Sequence, residues 1–138
     1  AWFKDYVEQM QPEEIFPGVK QLIRDLKSHG LKVGLASSSK NAKTVIRLLN
    51  IERDFDAIVD GTMVENSKPD PEIFLLTAEQ LGVEPRYCLV FEDAEAGIEA
   101  ALRAGMKCVG VGKERQLRNA HRVVSRTAEF QLSDLTEL

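Results

Sequence analysis

LVFEDAEAGIEAA, residues 89–101, decides how the chain is read, because an apolar run there ends in two adjacent carboxylates just where a helix is due to begin. The run YCLVF at 87–91 has the length and the aromatic or β-branched character of a buried strand. Ile98, Ala101 and Leu102 then recur at helical spacing. Glu92 and Asp93 therefore fall at the C-terminal end of a strand, the edge at which ligands bind in a parallel α/β sheet, and form a candidate metal site. A plainer reading stands beside this one, in which Asp93 caps the helix and Glu92 faces water.

Working outward, strand-like and helix-like segments alternate, a pattern that predicts a parallel sheet with helices on its faces. A helix from about Val19 carries Leu22, Ile23 and Leu26 and stops at Gly30, and the strand KVGLA follows at 32–36. Ala42, Val45, Ile46 and Leu49 mark the buried face of a second helix from about Lys40. DAIVD at 56–60 is the next strand. Asp70 and Pro71 then form an N-cap and N1 pair for a helix to about Leu81, with Phe74, Ala78 and Leu81 facing inward. CVGV at 108–111 follows the opening strand, and a short helix near 114–120, a brief VV strand and LSDLTEL complete the order. At the start, Trp2, Phe3, Tyr6, Val7 and Met10 form an apolar helical stripe that needs a packing partner.

The 138 residues, 43% hydrophobic and 29% charged, suffice for one domain with a real core. A net charge of −4 argues against a duplex nucleic-acid binder, whose affinity rests on a surplus of Lys and Arg. No apolar run is long enough for a membrane span or a signal peptide, so a cytoplasmic enzyme is expected. Cys88 and Cys108 lack metal-ligand spacing and read as buried thiols in a reducing compartment. His29, beside Gly30, is placed to meet the last carbonyls of its helix, whereas His121 in RNAHR reads as solvated.

Two further polar clusters share the strand ends with the acid pair. SSSKN at 37–41 combines hydroxyls with the free N–H groups of a helix start, an arrangement that suits phosphate; its plain alternative is an ordinary cap with Ser39 as N-cap. In SKPDP at 67–71, Pro69 and Pro71 stiffen the backbone around Lys68, which otherwise reads as a surface lysine. Hydroxyls after one strand, a lysine after the next and carboxylates after a third together describe a phosphoryl site with Mg²⁺.

This set and order resemble the haloacid dehalogenase superfamily of phosphotransferases. ASSSKNAKTVIRLLNI, SKPDPEIFLLTAEQLGVEP and FEDAEAGIEAALRAGM are similar above all to its β-phosphoglucomutase-like members, over about residues 10–125. The resemblance implies a Rossmann-like parallel sheet with helices on both faces. It implies that Ser37 binds the transferring phosphoryl group, that Lys68 stabilises it, and that Glu92 and Asp93 hold Mg²⁺, with Asp93 the more direct ligand. Ser38, Ser39, Lys40 and Asn41 fall among the positions that hold substrate phosphate.

The implied reaction converts β-glucose 1-phosphate to glucose 6-phosphate through an aspartyl phosphate. The family's first motif, an Asp-x-Asp after the first strand, has no counterpart here, since the one Asp-x-Asp, Asp54-Phe55-Asp56, precedes a strand. The resemblance thus presents residues 1–16 as the last cap-domain helix and linker and residues 17–138 as an incomplete core. The first strand and most of the helical cap are absent from it. The expected partner is a sugar phosphate, with a further N-terminal segment or a second chain completing the sheet. Two alternatives remain: a sugar-phosphate phosphatase of the same superfamily, and a non-catalytic phosphate-binding module.

Overall fold

The computed structural model describes residues 2–4, 18–38, 44, 46–47, 52–112 and 119–124. Six strands, β1 (Trp2–Lys4), β2 (Gly34–Ala36), β3 (Ala57–Val59), β4 (Leu89–Glu92), β5 (Lys107–Val111) and β6 (Arg122–Val124), form one sheet in the order β3-β2-β1-β4-β5-β6. Every neighbouring pair is parallel. Three helices of the described chain, α1 (Gly18–Ser28), α2 (Glu72–Leu81) and α3 (Glu95–Arg103), run between the strands. Residues 44, 46 and 47 are helical where the second helix was expected, and Ile46 is buried.

Alternation along the strands explains how both faces of the sheet are covered. Ala36, Ala57, Val59, Val90 and Cys108 join Phe74, Ala78 and Leu81 of α2 and Ile98, Ala100 and Ala101 of α3 in one apolar cluster. Leu35, Phe91 and Val109, one residue out of phase, point to the other face and are equally buried. Leu22, Ile23 and Leu26 of α1 are buried outside the α2–α3 cluster. Leu102 departs from expectation: it is 38% exposed, because Gly97, Ile98, Ala100 and Ala101 form the buried face of α3.

The N-terminus supplies the largest correction. Trp2 and Phe3, expected on a helical stripe, lie in β1, where Trp2 pairs with Gly34 and Val90, and Phe3 with Leu35 and Phe91. Without a strand in this slot, β2 and β4 would each expose an unpaired ladder edge, and a short aromatic segment satisfies both. The chain itself thus fills the central gap that the sequence left open. Residues 1 and 5–17, with Tyr6, Val7 and Met10, lie outside the described residues.

Helix ends follow the local chemistry. Gly30, at φ 78°, lets Leu31 N–H reach Leu26 O at 3.1 Å, and His29 Nδ1 lies 2.9 Å from Asp25 O, the capping position foreseen for it. Asp70 Oδ1 accepts from Glu72 N–H at 2.9 Å at the start of α2. At its other end Gly82, at φ 69°, donates to Ala78 O and Glu79 O, while Lys32 Nζ donates to Leu81 O at 2.7 Å. His121 is exposed, as its setting suggested, and its Nδ1 also accepts from Cys108 N–H at 3.0 Å, extending the ladder between β5 and β6. Both thiols are buried and neither is in a disulfide.

Asp56 ties two strand starts together. Its Oδ2 accepts from Val33 N–H at 2.7 Å and its Oδ1 from Lys27 Nζ at 2.9 Å. Burial acts to raise its pKa, but the Val33 N–H bond and the Lys27 and Lys32 charges outweigh that and hold the carboxyl below its ordinary value.

Candidate active site

The C-terminal ends of the central strands carry the polar groups. Ser37 follows β2 directly; its N–H donates to Val59 O at 2.9 Å, and the residue is 1% exposed. That ladder bond continues the sheet by one residue and fixes the hydroxyl at the strand's end. Ser38 is exposed beside it. Ser39, Lys40 and Asn41, the remaining members of the expected phosphate cluster, lie outside the described residues.

Lys68 reaches the same edge from the loop between β3 and α2. Its side chain is 6% exposed, so it is no surface lysine. The ammonium lies 3.5 Å from Ala36 O, 3.8 Å from Glu92 Oε2 and 5.1 Å from the centre of the Phe74 ring. The ring face offers further attraction to a cation. The Lys68–Pro69 peptide is cis.

Glu72, in the first turn of α2, binds the loop back on itself. Its Oε1 accepts from Glu65 N–H at 2.8 Å and from Asn66 N–H at 3.1 Å. Asp60, buried at the end of β3, accepts from Thr62 N–H at 2.9 Å and from the Thr62 hydroxyl, closing the first turn of the loop.

Across from Lys68 stands the acid pair. Glu92 ends β4 with 0% exposure, and its Oε1 accepts from the N–H groups of Asp93 and Ala94, each at 3.1 Å. This overturns the plain reading on both counts: Glu92 faces the interior, and Ala94 occupies the cap position of α3 with no side-chain cap bond. The physical reason is the sharp bend after β4, which aims two backbone donors at the last strand residue instead of at Asp93. Asp93 is half-buried at the bend. Among the described residues no group of three or more His, Cys, Asp or Glu side chains is arranged to hold a metal ion.

The structure thus brings together Ser37, Lys68 and Glu92, with Asp93 beside them. It also excludes other candidates. Asp56 marks the opposite, N-terminal edge of the sheet through its bonds with Val33, so the Asp54–Asp56 segment takes no part in this site. The two histidines sit at strand starts and helix ends away from it. Phe74, Glu72 and the Ala36 carbonyl were not foreseen as site-forming; only the closeness of Phe74 and Glu72 to Lys68 in sequence hinted at them.

A buried ammonium between the Ala36 carbonyl and the Glu92 carboxylate lies at the C-terminal strand ends of a parallel sheet, the edge at which α/β proteins of this class bind their ligands. Residues 3–105 match the profile of the haloacid dehalogenase-like hydrolases, and the chain belongs to that family. It is 45% identical over 137 residues to the β-phosphoglucomutase of Bacillus subtilis (strain 168), covering 97% of this chain and 61% of that protein. The crystal structure of β-phosphoglucomutase from Clostridium difficile superposes with a TM-score of 0.87 at 41% identity, over 95% of this chain and 59% of that one. The fructose-1-phosphate phosphatase of Escherichia coli (strain K12) is 44% identical over 81 residues, 59% of this chain and 43% of that protein. The chain therefore spans well under two thirds of the length of these relatives.

Proposed function

We propose that, in a polypeptide of its relatives' length, this chain forms the phosphoryl-transfer core of a β-phosphoglucomutase, which converts β-glucose 1-phosphate to glucose 6-phosphate. The observation that carries this reading is the Lys68 ammonium, held 3.5 Å from Ala36 O and 3.8 Å from Glu92 Oε2 at the edge that also bears Ser37. A fixed cation there offsets negative charge on a transferring phosphoryl group without reorganising as the reaction proceeds. Ser37 supplies a hydroxyl to one phosphoryl oxygen, Ser38 belongs to the same phosphate-binding stretch, and Ser39, Lys40 and Asn41 grip the phosphate that does not react. The attacking aspartate is assigned to the family's Asp-x-Asp after the first strand, which has no counterpart among these 138 residues.

Glu92 and Asp93 suit Mg²⁺ in kind, since both offer the hard oxygen donors this ion takes and it retains several waters when few carboxylates bind it. The bend after β4 keeps the two acids adjacent. When bound, the ion neutralises charge on the phosphoryl oxygens. Glu92, already receiving two N–H bonds, keeps its carboxylate fixed for that purpose. The buried thiols Cys88 and Cys108 support a reducing, cytoplasmic setting.

A phosphatase acting on sugar phosphates is the second reading, favoured by the similarity to the fructose-1-phosphate phosphatase. Product analysis separates the two. The enzyme of full length, given β-glucose 1-phosphate, glucose 1,6-bisphosphate and Mg²⁺, is expected to accumulate glucose 6-phosphate much faster than inorganic phosphate. Release of inorganic phosphate in step with substrate loss would make it a phosphatase.

A further inference from the structure

We propose that Gly97 is a positioning residue of the acid pair: the absence of a side chain there creates the seat that fixes the Glu92 carboxylate, and through it the Lys68 ammonium. The inference deepens the phosphoryl-transfer reading by assigning a residue that supports its charged groups.

Gly97 is a buried residue in the first turns of α3. A Cβ built on it would overlap the Cδ, Oε1 and Oε2 atoms of Glu92 together, so the carboxylate lies directly against the helix backbone at this position. Its backbone is helical with no positive φ, so conformation does not require glycine. Glycine inside a helix is also less favourable than alanine by about 1 kcal/mol. Both considerations would select alanine, and space for Glu92 is what opposes it.

The seat completes an enclosure. The N–H groups of Asp93 and Ala94 hold Oε1, Lys68 faces Oε2 at 3.8 Å, and the Gly97 backbone closes the remaining side. The start of a helix also favours a negative charge at this place. A methyl group at 97 must either lift α3 from β4 or turn the carboxylate away. The second movement alters the distance to Lys68 and the side that Glu92 presents to a cation.

The test is a thermal cycle on the 138-residue chain with Gly97→Ala, Glu92→Ala and the double variant. Gly97→Ala is expected to lower Tm in the parent and to raise it in the Glu92→Ala background, where the methyl meets vacated space and the helix gains propensity. Failure of Gly97→Ala to fold, with folding restored in the double variant, supports the proposal equally. A rise in Tm in both backgrounds, or a double variant no more stable than Glu92→Ala alone, overturns it.

A second readout concerns position and not stability. Mg²⁺ titrated against the amide signals of Asp93 and Ala94 is expected to bind folded Gly97→Ala about 10- to 100-fold more weakly than the parent, the usual loss when a group supporting a metal ligand is displaced. Unchanged affinity counts against the seat. A parent chain that binds no Mg²⁺ defeats the metal assignment, while the thermal cycle still decides the seat.

Discussion

Lys68→Ala in the full-length enzyme is expected to lower kcat about 10²- to 10³-fold, the loss typical of a deleted donor to developing charge. The structure adds a cost that the sequence concealed. Glu92 is fully buried and Lys68 nearly so, and removing one partner of a buried ion pair costs about 3–5 kcal/mol because the other charge remains without compensation. Activity must therefore be referred to the folded fraction, measured by circular dichroism under the assay conditions.

Ser37→Ala avoids this difficulty. It removes one hydroxyl at a buried position whose backbone bond to Val59 is kept, so stability should change by only about 1 kcal/mol. The loss in kcat should still approach 10²-fold, the lower end of the same range. Folded Ser37→Ala and Lys68→Ala enzymes that turn over β-glucose 1-phosphate like the parent would remove both residues from the reaction.

The second large effect is the absence of turnover by the 138 residues alone. Covalent phosphoryl transfer needs a nucleophile aligned with phosphorus, and positioning groups cannot replace it. Asp54 and Asp56 stand at the opposite edge of the sheet, where Asp56 is occupied by Val33 and Lys27. Neither histidine lies where it could activate Ser37 as a substitute. The purified chain with β-glucose 1-phosphate, glucose 1,6-bisphosphate and Mg²⁺ should form neither aspartyl phosphate nor glucose 6-phosphate. Turnover near the range of ordinary enzymes, roughly 1 to 10³ per second, would show that another group attacks.

Where local chemistry and burial agreed, the sequence was legible. The stripes Leu22–Ile23–Leu26 and Phe74–Ala78–Leu81 are buried as their spacing requires, and Gly30 ends its helix by a rule that acts within a few residues, whereas the start of α2 falls one residue later than read, with Pro71 in the cap position. What escaped depended on distant segments. Trp2 and Phe3 satisfy helical spacing, but two open ladder edges, contributed by residues 34–36 and 89–92, draw them into a strand.

The site shows the same division. Strand ends and residue types pointed to Ser37, Lys68, Glu92 and Asp93 as candidates, and their placement at the C-terminal edge of the sheet could be read locally from the turn after each strand. Their mutual arrangement could not be read in this way. That Glu92 takes the backbone donors expected of a helix cap depends on the angle between β4 and α3, and that Gly97 makes room for it depends on their separation. The hydrogen bond of the exposed His121 was not legible because its partner, Cys108 N–H, lies 13 residues away across a strand pair.

The central claim is that phosphate is held between Ser37 and Lys68 at the C-terminal edge of the sheet. Titrating inorganic phosphate into the labelled 138-residue chain, followed by amide shifts in NMR, tests it most directly. The account predicts the largest shifts at residues 37–41 and at Lys68, reduced in Ser37→Ala; shifts confined to the basic stretch at 113–122 would contradict it.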